Sequence, residues 1–220
     1  MNAHPDFAGM GVSSTLLALI IEYSEQQNLP LRLVSSAMNL DSYSLYTRKG
    51  FVPQITFQDM FLSIPEEGLN LETPGKGNVR PATLEDVEAI VKLEEELTGI
   101  ERAKDYQYFI ENKLGIWKLF VYEVDGEITG VLASSDHPAS CMIGPGISKD
   151  EDIAIALLAK QLETFKGKSP VFLVPVKASK VVKQAYLWKA RNCEMHVSQT
   201  YGEHYPVEGI VFPAFLPETF

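Results

Sequence analysis

Apolar residues recur at helical spacing in the first part of the chain. They are Val12, Leu16, Leu19, Ile20 and Tyr23. This spacing predicts an amphipathic helix over about 12–27, which Asn28 and Pro30 end. Three further elements are predicted before residue 64: a short buried strand at 31–34, a helix at 41–49 that Gly50 closes, and a strand at 51–63.

The pattern after residue 79 predicts a longer alternation of helices and strands. Thr83 and Asp86 form a capping-box signal for a helix that extends to about Leu97. Asp125-Gly126 predicts a hairpin between strands at 118–124 and 127–134. The remaining predicted elements are strands at 140–144, 170–176, 193–201 and in the apolar ending 210–220, with helices at 150–165 and 179–190. This order predicts an α+β fold around a mixed sheet.

Turn-forming residues separate these two parts of the chain. Residues 65–78 contain three glycines and two prolines and few apolar side chains, so they are interpreted as a linker between domains at 1–64 and 79–220. The helix–strand–helix–strand unit of 12–60 recurs at 150–201, and an offset of 140 carries Leu31 to Val171 and Tyr46 to Tyr186. The first domain is therefore predicted to be the back half of a fold whose fuller copy is the second domain.

Charge, apolar runs and cysteine content exclude several classes of protein. The 220 residues include 29 acidic and 19 basic side chains, for a formal net charge of -10, which argues against nucleic acid as a partner. The longest apolar run is too short to cross a membrane, and no secretion signal opens the sequence. Cys141 and Cys193 cannot form a disulfide framework or a zinc site made of several cysteines. We therefore expect a cytoplasmic protein that needs no metal.

A glycine-rich turn runs directly into the first helix. Gly9 and Gly11 free the backbone to direct several amide groups toward one point at the positive end of the helix dipole, a geometry that binds phosphate. A plain turn is the alternative interpretation. A Walker loop is excluded because no Gly-Lys-Ser/Thr sequence follows. A Rossmann fingerprint does not fit either, because its preceding strand and its acidic residue are missing.

The turn resembles the pyrophosphate loop of the Gcn5-related N-acetyltransferase (GNAT) superfamily. That loop reads Gln/Arg-x-x-Gly-x-Gly/Ala, and the segment 5–13 is similar to it with Gly11 at the first glycine. The segment 39–51, Asn-Leu-Asp-Ser-Tyr-Ser-Leu-Tyr-Thr-Arg-Lys-Gly-Phe, resembles the closing motif of the same superfamily. The resemblance covers about residues 4–53. The order of elements after the linker looks like a second, divergent domain, as in tandem members.

The resemblance implies a mostly antiparallel mixed sheet flanked by helices and an N-acetyltransferase activity. Acetyl-CoA would be the cosubstrate, and its pyrophosphate would lie at the amides of Gly9, Met10, Gly11, Val12, Ser13 and Ser14. Tyr46 corresponds to the general acid that protonates the leaving thiolate, with a core tyrosine as the alternative. Asn39 would contact the coenzyme arm or cap the helix that follows. The acceptor would be a small-molecule or peptide amine that attacks the thioester directly.

The sequence departs from the superfamily in two regions. Ala8 and Ser13 replace characteristic loop residues, and the few residues before His4 cannot supply the strand that pairs with the coenzyme arm in the family. We therefore expect either that the first domain is truncated at its N-terminus or that another part of the assembly supplies this strand. In the second domain, the acidic residues 150–152 would repel a pyrophosphate and are better helix-starting charges. Gly144-Pro145-Gly146, just before them, is interpreted as a rigid turn.

Other candidate residues are weighed against simpler interpretations. Cys193 and His196 lie three apart on a predicted strand and so point to opposite faces, which disfavours a nucleophile–base pair and favours a buried structural cysteine. His137 could line a ligand pocket. The alternative to an enzyme is a non-catalytic ligand-binding or assembly module on a decayed acetyltransferase fold. An unpaired sheet edge near the N-terminus also favours association into a homo-oligomer.

Overall fold

The protein is described from a computed structural model, which places residues 5–7 and 9–214. Six α-helices and nine strands occur in these residues. The helices are α1 Val12–Gln27, α2 Leu40–Arg48, α3 Val87–Thr98, α4 Ala103–Glu111, α5 Glu151–Leu162 and α6 Ser179–Leu187. The strands are β1 Leu31–Ser36, β2 Val52–Phe61, β3 Val79–Pro81, β4 Trp117–Val124, β5 Glu127–His137, β6 Ser140–Ser148, β7 Val171–Pro175, β8 Arg191–Tyr201 and β9 Ile210–Phe212.

Most predicted elements are present at nearly the predicted positions. The α+β class is confirmed, and the Asp125-Gly126 hairpin forms with both residues at positive φ, 52° and 81°. The apolar ending forms β9, whereas residues 215–220 of the same prediction lie outside the described residues, as do His4 and Ala8. Helix α4 and strand β3 were not predicted. None of the helices in the described ranges is long and apolar enough to cross a membrane.

By its internal contacts, the chain forms two compact units. Unit 1 comprises Met1–Ile55 and Val197–His204, and unit 2 comprises Thr56–His196 and Tyr205–Phe220. The division does not fall at 65–78, because this segment packs within unit 2. Leu71 is buried there, and its N–H donates a hydrogen bond to Glu163 Oε1 at 2.9 Å. The interpretation of 1–64 and 79–220 as a partial and a fuller acetyltransferase domain stays a prediction.

Each of the two compact units includes a strand from the opposite sequence repeat, where the repeats are residues 12–60 and 150–201. The offset of 140 relates β1 to β7 and β2 to β8. In unit 1 the neighbour of β1 is β8, and in unit 2 the neighbour of β7 is β2. The β2–β7 pair is antiparallel, from Phe57 opposite Pro175 to Phe61 opposite Val171. The exchange of strands is therefore reciprocal.

Unit 2 carries the longer series of strands and the larger core. From β2 its sheet continues in the order β7, β6, β5, β4, β3. Helix α5 packs on this sheet, and nine of its twelve residues are buried, eight of which are apolar. Large side chains that fill this core are Met60, Leu132, Ile143, Phe165, Phe172 and Phe212. A helix that is apolar on all sides is typical of a core position.

Strands β6 and β7 separate after a short parallel contact. They pair only at Met142–Val171 and Ile143–Phe172, and residues 146–148 of β6 pair instead with β9 in antiparallel register. The prediction of a rigid turn at Gly144-Pro145-Gly146 was therefore wrong, because these residues lie within β6. A side chain at Gly146 would overlap Leu132 of β5. The glycine thus permits close strand approach instead of a chain reversal.

Candidate functional site

The glycine turn before α1 has the backbone conformation that its sequence predicts. Gly9 and Gly11 have φ values of 77° and 78°, and Gly11 is the N-cap residue of α1. A Cβ atom at either glycine would meet nothing within 4 Å. These glycines are therefore required by the left-handed backbone and not by close packing.

The first turn of α1 offers backbone donors at an exposed position. No side chain caps its N-terminus, because Gly11 has none to offer. The first amide groups of a helix have no partner within the helix, and they lie at the positive end of its dipole. Gly11 and Val12 are exposed, and Ser13 and Ser14 are half-buried. The geometry suits an anion that approaches from solvent.

Asn39 caps the helix that carries the second motif. Its Oδ1 accepts a hydrogen bond from the backbone N–H of Ser42 at 3.1 Å, which places it at the N-cap of α2. This arrangement matches the capping alternative for Asn39, while a contact with coenzyme stays a prediction. An open cavity of about 580 Å³ adjoins this helix start. It is lined by Ser36, Met38, Asn39, Leu40 and Asp41.

Tyr46 lies in the second half of α2 and is half-buried. Its ring centroid is 5.8 Å from that of Phe51, which in turn lies 5.5 Å from the ring of Tyr201. Burial raises the pKa of the Tyr46 hydroxyl above its usual value of 10.0. The hydroxyl therefore carries its proton at neutral pH, as a general acid must before it acts.

The predicted site residues occupy two places in unit 1. Asn39 and Tyr46 share α2 and are separated by about 10 Å along its axis. Among the described residues, no hydrogen bond or ring contact joins the loop 9–14 to Tyr46. The anion-binding turn and the acid are thus defined individually, and an additional molecule would have to span them.

In unit 2, carboxylate side chains accept hydrogen bonds from the first backbone N–H groups of helices α5 and α6. The first helix of unit 1 has no such side-chain cap. Asp150 Oδ1 accepts a hydrogen bond from the N–H of Ile153 at 2.9 Å at the start of α5. Glu151 Oε2 accepts from the N–H groups of Lys180 and Val181, at 2.6 and 3.1 Å, at the start of α6. Both helix starts already have an acidic partner, as expected for helix-starting charges.

The remaining candidates do not form a nucleophilic site. The prediction that Cys193 is buried was wrong, because the residue is exposed, whereas His196 is 6% exposed. Partial desolvation by neighbouring atoms, and then the charges of Asp59 and Glu194, raise the pKa of the Cys193 thiol, and burial lowers the pKa of His196. The thiol is therefore protonated at neutral pH. His137 Nδ1 accepts a hydrogen bond from the N–H of Ala139 in a local turn.

A cluster of titratable side chains was missed by sequence reasoning. Asp59 on β2 lies beside His196 and Glu194 on β8, and all three belong to unit 2. The two β8 residues are two apart and so share a face of the strand, which is a weak local signal. Nothing local in the sequence indicates that Asp59 lies opposite them.

Comparisons with known proteins find similarity in structure only. No protein-family model and no curated protein match the sequence. A Pyrococcus horikoshii protein described as an acetyltransferase aligns with a TM-score of 0.71 at 13% identity, over 99% of this chain and 69% of its own. A Gcn5-related N-acetyltransferase from Sphaerobacter thermophilus aligns with a TM-score of 0.60 at 16% identity, over 94% and 72%.

A third similar structure is described as a tandem protein. It is a tandem GNAT protein from the clavulanic acid biosynthesis pathway, with a TM-score of 0.56 at 13% identity, over 91% of this chain and 72% of its own. Identities this low establish a shared fold and leave function open. The mixed, mostly antiparallel sheet with flanking helices agrees with these structures. The chain has the fold of the Gcn5-related N-acetyltransferase superfamily.

Proposed function

We propose that the protein binds acetyl-CoA and transfers its acetyl group to an amine. The observation that carries this proposal is the uncapped start of α1, where Gly11 offers no side chain to the first backbone N–H groups of the helix. Tyr46 and Asn39, from the motif that resembles the second half of such a site, lie in the same unit. The fold supports the general class of acyl transfer.

The proposed mechanism needs no covalent intermediate on the protein. The neutral acceptor amine attacks the thioester carbonyl carbon, so that a C–N bond forms and the C–S bond breaks. The leaving thiolate takes a proton from the Tyr46 hydroxyl, the amine loses one to solvent, and Tyr46 regains a proton from solvent. Backbone amides at 9–14 would hold the pyrophosphate and so position the thioester. The acceptor is proposed to be a small-molecule or peptide amine.

The coenzyme site is tested by a variant of the turn. Gly11→Glu forces a side chain into a left-handed position and adds a negative charge where the pyrophosphate would lie. We expect acetyl-CoA to raise the melting temperature of the parent protein and not that of the variant. Gly115→Glu is the matched control, because Gly115 also has a positive φ and open space around its Cβ position. Equal coenzyme binding by the parent and Gly11→Glu would place the site elsewhere.

The alternative of a non-catalytic module has support from unit 2. Its two helix starts are closed by Asp150 and Glu151, so this copy lacks the open donors of unit 1. Coenzyme A release in the presence of a panel of primary amines distinguishes the two functions. Coenzyme binding without release for any amine would favour the module over the enzyme.

A further inference from the structure

The cluster of Asp59, Glu194 and His196 joins two adjacent strands of unit 2. His196 Nδ1 lies 3.6 Å from Asp59 Oδ2, and His196 Nε2 lies 3.5 Å from Glu194 Oε1. The imidazole is thus placed between two carboxylates. One atom from each of the three side chains can be chosen so that all three lie within 4.8 Å of one another.

Asp59 carries the main argument for a ligand at this cluster. Its side chain is 9% exposed. Its Oδ1 atom is buried and makes no hydrogen bond with any described residue. A buried carboxylate oxygen is costly unless a donor or a cation satisfies it, and Oδ1 of Asp59 has no donor among the described residues.

The donor set indicates which kind of cation would be favoured. Magnesium and calcium prefer sites made of oxygen ligands alone, whereas a site of two carboxylates and an imidazole suits zinc and similar divalent transition ions. We propose that Asp59, Glu194 and His196 bind one divalent transition-metal ion, with zinc as the reference ion. The proposal concerns a site that is independent of the proposed coenzyme site.

The three ligand atoms must move closer together for one ion to bind them. Zinc lies about 2.0–2.2 Å from nitrogen and oxygen ligands, so its ligand atoms must approach one another more closely than 4.8 Å. The side chains of Asp59 and His196 are buried, and that of Glu194 is 25% exposed. Three protein ligands leave a tetrahedral ion one position for water or another small ligand. Glu194 would be the third protein ligand of this ion.

The test is direct measurement of bound metal. The protein is treated with a chelator, equilibrated with zinc and dialysed, and its metal content and melting temperature are measured. We expect one zinc ion per chain and a raised melting temperature for the parent protein. Asp59→Asn keeps the shape of the side chain and removes its charge. This variant should bind zinc at least about tenfold more weakly, with no lower melting temperature than the parent in chelator.

Two control variants separate this site from other zinc ligands. His204→Ala removes an exposed histidine outside the cluster and should bind zinc as the parent does. Cys193→Ser removes the exposed thiol beside the cluster and should also keep the ion. The proposal fails if the parent holds no zinc, or if Asp59→Asn binds it as tightly as the parent. It also fails if Cys193→Ser loses the ion while Asp59→Asn retains it, since the thiol would then be the ligand.

Discussion

Tyr46 and Tyr186 occupy equivalent positions in the two repeats, but their hydroxyl groups have different surroundings. The Tyr186 hydroxyl donates a hydrogen bond to Gln58 Oε1 at 3.0 Å. The Tyr46 hydroxyl makes no hydrogen bond with the described residues, and burial raises its pKa. Of these two tyrosines, only Tyr46 therefore has a hydroxyl that no other described side chain binds.

This difference predicts distinct effects when each hydroxyl is removed. Tyr46→Phe should lower the turnover number by about ten- to a thousandfold, because the leaving thiolate loses its acid, while coenzyme affinity changes little. Tyr186→Phe is the matched control and should leave turnover unchanged. Steady-state release of coenzyme A measures both. An unchanged turnover number in Tyr46→Phe would show that water or another group protonates the thiolate.

At the scale of single residues, the sequence predicts the features that depend on the local backbone, such as a positive φ or a helix cap. Gly9 and Gly11 adopt the positive φ that glycine allows, and Asn39 caps α2 as the residue type before a helix suggests. The exposure of Cys193 could not be predicted, because burial along β8 does not alternate. The neighbours of Asp59 could not be predicted either, since they depend on a pairing between strands far apart in the chain.

Between elements, a charged network at the start of unit 2 fixes a helix to two strands. Arg80 of β3 donates to both carboxylate oxygens of Asp86, at 2.7 and 2.8 Å, and to Glu123 of β4 at 2.6 Å. Asp86 also accepts from the N–H of Thr83 at 2.7 Å and so completes the capping box before α3. The hydrogen bond from Arg80 is the main cause that lowers the pKa of Asp86, from 3.8 to about 2.

This shift predicts a pH-dependent stability for Asp86. Because the folded pKa is below the unfolded one, the contribution is present above about pH 4 and is lost as the pH falls toward 2. Asp86→Asn should lower the free energy of unfolding by about 1–2 kcal/mol at pH 7, a figure reduced for the partial exposure of Arg80. Urea unfolding between pH 7 and pH 3 measures the difference, which should shrink below pH 4.

The exposed neighbour Glu85 provides the control for this measurement. Glu85→Gln changes the same charge in the same turn without touching Arg80, so it should alter stability little at any pH. A difference for Asp86→Asn that stays constant down to pH 3 would mean that the ion pair with Arg80 contributes nothing.

The first turn of α5 gives a second prediction at this scale. Asp150→Ala removes the acceptor for the Ile153 N–H and should lower the free energy of unfolding by about 1 kcal/mol. Asp150→Ser keeps a capping oxygen and should stay within a few tenths of a kcal/mol of the parent. Chemical denaturation of the three proteins decides this. Equal stability of the alanine and serine variants would contradict the capping role.

Elements with strong local signals were predicted, and those that depend on tertiary packing were not. The capping box, the Asp125-Gly126 hairpin and helix α1 form at the expected positions. The apolar face predicted for α1 was wrong, because the residues that define its spacing are exposed and only Leu17 and Ser24 of this helix are buried. Helix α4 was missed because its buried residues are only Tyr106 and Phe109, too few to set a clear period. Strand β3 has three residues and is defined by its pairing with β4, not by its own sequence.

In the whole molecule, neither repeat contains all the strands of its own unit. Strand β1 has β8 as its neighbour in unit 1, and β7 has β2 as its neighbour in unit 2. Within unit 1, the Oγ atom of Ser198 on β8 accepts a hydrogen bond from the backbone N–H of Ile55 at 3.0 Å. A cut between the repeats would therefore deprive each unit of a strand.

This arrangement predicts that residues 1–64 do not fold alone. The fragment keeps β1 and α1 but lacks β8, so it should show no cooperative unfolding transition by circular dichroism. Mixing or co-expressing it with residues 65–220 should restore a single transition, because each fragment then supplies the strand that the other lacks. A cooperative, monomeric transition for the 1–64 fragment alone would contradict the prediction.

The same strand exchange constrains how the protein can fold while it is being made. On the ribosome, the first repeat emerges long before its missing neighbour, so β1 must wait until Tyr201 has left the exit tunnel. Contacts between such distant parts of a chain form slowly, and unpaired strand edges are open to wrong partners in the meantime. The last strand of the second repeat therefore sets the time at which the first repeat becomes native, and a chaperone that shields the nascent β1 edge would act during that interval.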